Sequence, residues 1–191
     1  MNLQESPAGL STNRLEAFSD GVFAIAITLL ILGIAVPDGG FSLTSDALTK
    51  SLLLLWPKVA SFIISFAIVG IFWYGHHFMF HYIERSDRIL VWLNTLCLMT
   101  VSFFPFPAEF IGRYPRQQVA IILYAGTLLL MGLSLLAVWI YASRHHRLIH
   151  PKLDPKFIRL GKWYILGGPF VYLLAIGLSF VSIYVSLAIL I

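Results

Sequence analysis

The chain reads as an all-α membrane protein of several spans, and three observations predict it. Hydrophobic residues make up 59% of its 191 residues and charged residues 12%, more apolar surface than a soluble domain of this size can hide in a core. Apolar runs able to cross ~30 Å of hydrocarbon recur along the chain. Short segments of Pro, Gly and charge separate them. Cys97 is the sole cysteine, so no disulfide within the chain is possible; it lies in an apolar run and reads as a small packing residue.

The first span covers about residues 15–36. A polar head, Arg14 to Asp20, leads into Gly21 to Val36, which holds no charge and one hydroxyl, Thr28. Pro37 and the turn Asp38-Gly39-Gly40 close it. The first ten residues contain no Lys or Arg and no small-residue cleavage site follows, so this helix is expected to be retained as a signal anchor. The second span, about 46–82, opens behind Thr44 or Ser45 as a cap. It is amphipathic as far as Trp56 and apolar from Val59 to Phe80. Pro57 either kinks one long helix or separates a surface turn from the span proper.

The third span, about 89–108, ends in Phe104-Pro105-Phe106-Pro107, where two prolines stop or bend the helix. The fourth, about 117–143, ends in the basic stretch Arg144 to Lys162. A fifth, about 156–180, contains Gly167-Gly168-Pro169. A sixth, 182–191, would reach only ~15 Å, half of the ~30 Å core. A short sixth helix, an early chain end and one long helix over 156–191 all fit. The whole is a single transmembrane domain over 1–191.

Basic residues set the orientation. With six helices and both ends in the cytoplasm, the inner segments hold Arg14, Arg85, Arg88, Arg144, Arg147, Lys152, Lys156, Arg159 and Lys162. The outer ones hold Lys50, Lys58, Arg113 and Arg116. Nine against four is a positive-inside bias that accounts for the net charge of +4. No soluble domain exists to present a basic face to nucleic acid, so nucleic acid is excluded as a partner.

The first helix has distinct faces. With Ile25 at zero and ~100° per residue, Leu29 lies at about +40°, Leu32 at about −20°, Thr28 at about −60° and Asp20 at about −140°. Ile25, Leu29 and Leu32 therefore form an apolar stripe ~10 Å long that faces one partner while Asp20 faces another. An acid at the head of a span needs a partner, since an unpaired Asp costs ~2.5–3.5 kcal/mol at mid-depth. Lipid contact or ordinary helix packing would also account for the stripe.

Arg14-x-x-x-Phe18-Ser19-Asp20 and the run Gly-Val-Phe-Ala-Ile-Ala-Ile-Thr-Leu-Leu behind it resemble the signature of the lysosomal potassium channel family. This is the transmembrane protein 175 family, which has small prokaryotic members. Phe72-Trp73-x-x-His76-His77-x-x-Phe80, Asn94 and Pro105-Phe106-Pro107 extend the resemblance over essentially the whole chain. It implies six transmembrane helices per subunit, a homotetramer and a central pore lined by the first helix. A constriction ring then falls on Ile25, further apolar rings on Leu29 and Leu32, and a selectivity-related hydroxyl on Thr28. The activity implied is passive conduction of K⁺, with other monovalent cations as candidates, across the cell (inner or plasma) membrane. No Thr-Val-Gly-Tyr-Gly filter loop is present, so only modest preference for K⁺ over Na⁺ is expected. Arg14, Phe18, Ser19 and Asp20 are expected to pair internally with Trp73, His77 and Asn94 from neighbouring helices, which would set the register of Ile25.

No catalytic residue, cofactor or metal is expected. His77 and His81, like His146 and His150, stand four apart, but neither pair has the Glu of a metalloprotease. Trp56, Tyr82, Trp92, Tyr114, Trp139, Trp163 and Tyr164 lie near span ends as an aromatic belt. Two other classes compete. A secondary transporter wants a broken helix or a midplane charge, and the clearest candidate break is Gly167-Gly168-Pro169. A membrane cytochrome or metal-binding protein wants two histidines at one depth on facing helices, which an absorption spectrum would reveal.

Overall fold

A computed structural model describes residues 11–37 and 44–190. The turn expected at Asp38-Gly39-Gly40 lies outside them. The described residues form eight α-helices: α1 (Asn13–Leu29), α2 (Ser45–Leu54), α3 (Trp56–His81), α4 (Arg88–Phe103), α5 (Pro105–Arg113), α6 (Gln118–Ser143), α7 (Pro155–Ser179) and α8 (Ile183–Leu190). Five stretches are long and apolar enough to cross a bilayer: Asn13–Gly33, Trp56–His81, Arg88–Arg113, Gln118–His146 and Pro155–Ser179.

Helix α1 buries Ser19, Phe23, Ala26 and Leu30. Their spacing of four, three and four puts them on one seam, which packs against α3 and α4. Its last turn tightens into a 3-10 helix, Leu30–Gly33, so the helix ends before the expected residue 36. Pro37 holds the residue before it extended. Gly33 lies close to α5 there: a Cβ would stand 3.1 Å from Glu109 Cγ.

Pro57 separates two helices rather than kinking one. Thr44 caps α2, its hydroxyl accepting the Ala47 N–H at 3.4 Å. Helix α2 then ends at Leu54, and α3 restarts with Pro57 in its first turn, where the missing N–H costs nothing. Helix α2 buries no residue and is no part of a span. At the other proline site, α4 bends into α5 around Phe104, which is fully buried. Helix α5 presses on α3, where the Ser61 hydroxyl donates to the Ala108 carbonyl at 2.7 Å.

Helix α6 is the hub. It is apolar all round, contacts α4, α5, α7 and α8, and is the most buried of the long helices. Helix α7 continues as one helix through Pro169, whose ring packs against Gly132 of α6. A Cβ on Gly132 would meet Pro169 Cγ at 2.8 Å. The chain then turns at 180–182 and α8 folds back on α7, with the Ser186 hydroxyl donating to the Ala175 carbonyl at 2.6 Å. The reading of 156–191 as one helix is thereby excluded. The eight residues of α8 span ~12 Å.

Two charged loops meet at one end of the bundle. Ile83 and Ile149 form a single antiparallel bridge, and the Glu84 N–H donates to the Leu148 carbonyl at 2.9 Å. Asp87 caps α4 by accepting the Leu90 N–H at 2.9 Å. It also accepts the Tyr141 hydroxyl at 2.6 Å and lies 3.4 Å from Arg147 Nε. Leu15 of α1 packs into the same end. Partial burial would raise the Asp87 carboxyl, but the Tyr141 hydroxyl, the Leu90 N–H and Arg147 together hold it below its ordinary value. Its stabilising contribution is therefore present above the unfolded value, ~3.9, and lost as pH falls through the lower folded one. Asp87→Asn keeps the cap but not the charge. The wild-type advantage in thermal stability over Asp87→Asn is expected to be full at pH 6 and to shrink toward pH 3.

The aromatic belt has one exception. Trp139 is buried, and its indole donates to the Ile158 carbonyl at 3.2 Å, tying α6 to α7.

Candidate permeation helix and its anchoring layer

Helix α1 divides into two halves. One arc, at about +100° to +160° from Ile25, carries the buried seam Ser19, Phe23, Ala26 and Leu30. The other carries Phe18, Ile25, Thr28, Leu29 and Leu32, all exposed. Ile25 is 61% and Leu32 72% exposed. Within a single chain the expected pore stripe thus faces away from its own bundle. The Thr28 hydroxyl donates back to the helix, 2.9 Å from the Ile25 carbonyl and 3.0 Å from that of Ala24. This points its proton inward and leaves oxygen lone pairs on the open side.

A buried polar layer anchors the opposite half. Ser19 Oγ donates to the Leu15 carbonyl at 2.7 Å and accepts from Asn94 Nδ2 at 2.9 Å. Asn94 Oδ1 stands 2.8 Å from His76 Nε2. An amide oxygen only accepts, so His76 carries its proton on Nε2. Its ring stacks on Phe80 at 4.4 Å between centroids. Ser19, His76 and Asn94 are each at most 1% exposed. A fully satisfied network in an apolar interior is directional where the surrounding packing is not. It fixes the rotation of α1 and hence the azimuth of Ile25.

Asp20 lies beside this layer, its Oδ1 accepting the Trp73 indole N–H at 2.9 Å. His77 stacks on the other face of that pair, 5.6 Å from the Trp73 ring and inclined 24°. The layer therefore gathers Ser19 and Asn94, with Asp20 and Trp73 as a second pair. His76 takes the position expected for His77. The signal was in the spacing of α3: Ser65, Val69, Phe72, His76 and Met79 recur at four, three, four and three, and His77 falls on the next face. Arg14 and Phe18 stand elsewhere. Both are exposed on the Ile25 side of α1, and Arg14 has no ion pair among the described residues.

Neither competing class gains support from the geometry. Helix α7 is continuous where a transporter break was sought. His76 Nε2 is engaged by Asn94, and no group of three or more His, Cys, Asp or Glu among the described residues could hold a metal.

The chain is thus an all-α, multi-pass membrane protein whose first helix is held by a polar layer and turns an apolar face outward. It belongs to the TMEM175 potassium-channel family. The family described as "Endosomal/lysosomal potassium channel TMEM175" matches residues 14–105. A potassium channel of Chamaesiphon minutus is 40% identical over 189 residues, 97% of this chain and 92% of that one. One of Streptomyces collinus is 40% identical over 183 residues, 93% of this chain and 86% of that one. A crystal structure described as a lysosomal potassium-selective channel TMEM175 homolog from Chamaesiphon minutus superposes with a TM-score of 0.82 at 37% identity. It covers 94% of this chain and 92% of that one.

Proposed function

We propose that this chain is the subunit of a potassium-permeable channel in which four copies place α1 around a common axis. One observation carries the reading: α1 turns Ile25, Thr28, Leu29 and Leu32 away from its own bundle while Ser19 is locked into it. In a bilayer such a face meets either lipid or other copies of the chain; conduction requires the second, and closed rings of identical subunits supply a shared axis. The relatives named as potassium channels support passive ion conduction as the activity. The basic end, with Arg85, Arg144 and Arg147, is then cytoplasmic.

Four Ile25 side chains meeting on the axis form a neck that excludes water, and an ion cannot cross a dry neck. Slight widening admits a partly hydrated ion. Thr28 Oγ1 lies one turn along with its lone pairs free, and its oxygens replace some of the lost water. K⁺ gives up hydration more readily than Na⁺, so it is favoured. Few oxygens take part, so the preference is modest.

Current recording of the reconstituted protein under K⁺ and Na⁺ gradients tests this. Passive current with a reversal potential shifted toward that of K⁺ is expected; flux that requires a counter-ion would replace the channel with a transporter. Mass measurement in lipid nanodiscs tests the stoichiometry, and a monomer or dimer as the conducting species would remove the shared pore. Thr28→Ala should keep current flowing and move the reversal potential toward that of a non-selective cation pore, because it removes oxygens without widening the neck.

A further inference from the structure

A groove of about 820 Å³ opens on the flank of the bundle between α3 and α7, floored by α6. Its walls include Ile71, Tyr74 and Phe78 on α3 and Leu160, Trp163 and Tyr164 on α7. All six are exposed, Trp163 at 63% and Tyr164 at 81%. It lies away from the α1 face assigned to the pore. From Phe157 to Tyr172 its α7 wall is ~22 Å long, more than the ~15 Å of one leaflet's hydrocarbon. At the basic end Phe157 packs on Tyr82, 4.9 Å between ring centroids.

Lys156 stands at that end. It is exposed and lies one turn before Leu160 and two turns before Trp163 on α7, so its column runs into the groove wall. The neighbouring acid, Asp154, caps the helix by accepting the Lys156 backbone N–H at 2.8 Å, and its single negative charge is outnumbered by the bases around it. Arg159 and Lys162 add positive charge to the same turns of α7. The groove thus has an apolar body at membrane depth and a cationic mouth at the interface.

We infer that this groove seats one anionic phospholipid from the leaflet at the basic end, its acyl chains between α3 and α7 and its phosphate at Lys156. Lipid tails are as apolar as the groove walls, so tail burial alone cannot select one lipid over another in a bilayer. Discrimination must come from the headgroup, and one basic residue near the surface favours an anionic lipid about fivefold.

The test uses the full chain in vesicles containing brominated phosphatidylglycerol or brominated phosphatidylcholine at equal mole fraction. The Trp163 signal is isolated as wild type minus Trp163→Phe. Quenching of that component should require about fivefold less phosphatidylglycerol than phosphatidylcholine. The preference should shrink in Lys156→Gln and vanish when Arg159→Gln and Lys162→Gln are added. It should also vanish in Gly167→Leu, which fills the groove at a glycine whose Cβ would meet nothing within 4 Å. Ile71→Phe, filling from the α3 wall, serves where Gly167→Leu does not fold. Equal quenching by both lipids in the wild type would overturn the inference. So would a preference that survives the filling variants, since charge alone would then attract the lipid. Absence of quenching by either lipid, with a change of assembled mass in Gly167→Leu, would instead assign the groove to a second copy of the chain.

Discussion

Ile25→Asn is expected to raise the resting cation current at least tenfold in the reconstituted protein. Ile25 is exposed to 61% on the half of α1 that no other part of its own chain covers. In the proposed tetramer a ring of four such side chains would hold a dry neck, and an amide at the same place would hydrogen-bond water and wet it. A fall of only ~1.4 kcal/mol in the barrier is a tenfold change in rate. Ile25→Ala should act in the same direction by widening the ring. Leu29 and Leu32 substitutions should do so more weakly, since the proposed pore is tightest at Ile25. Conductance and reversal potential measured together separate gate from filter: the Ile25 variants change the first, Thr28→Ala the second. Unchanged current in all three apolar variants would show that the stripe faces lipid or protein.

Asn94→Leu is expected to be the most destabilising single change in the anchoring layer, by ~2–4 kcal/mol, since a buried polar group left without a partner costs ~1–3 kcal/mol. It strands the His76 Nε2 proton and removes the donor to Ser19 Oγ at once. Heating followed by size-exclusion chromatography should show assembled protein lost at lower temperature. The double variant His76→Phe with Asn94→Leu should recover part of that loss, because removing both members leaves no orphaned proton. Any channel that survives should keep its ion preference. Normal stability with altered selectivity would place these residues in the permeation path instead.

These two expectations draw on different kinds of information. That Ile25, Leu29 and Leu32 share a face follows from helical spacing, which is a property of α1 alone. That the charged head precedes an uncharged run, and that basic residues cluster in two loops, follows from order along the chain. So does the presence of several spans, because hydropathy over about twenty residues is a local sum. The choice between His76 and His77 is of another kind. Adjacent residues on a helix point ~100° apart, and only the side of α3 that α1 occupies decides which one meets Asn94. Arg14 and Phe18 belong to the same motif as Ser19, yet they stand on the opposite side of α1 from the layer for that reason.

By itself the sequence determined the class of protein, the approximate spans, the apolar stripe of α1 and the family, because composition, periodicity and motif are carried by neighbouring residues. The tertiary structure alone decided three things. Pro57 starts a new helix instead of bending an old one, and the helix before it, α2, buries no residue. Pro169 lies inside α7 without ending it, and its ring packs on Gly132 of α6, where a side chain would collide with it. Residues 183–190 turn back on α7, since the Ser186 hydroxyl finds the Ala175 carbonyl there. The packing of Pro169 and of Ser186 depends on partners on another helix or across a turn, and no local pattern encodes which partner will arrive.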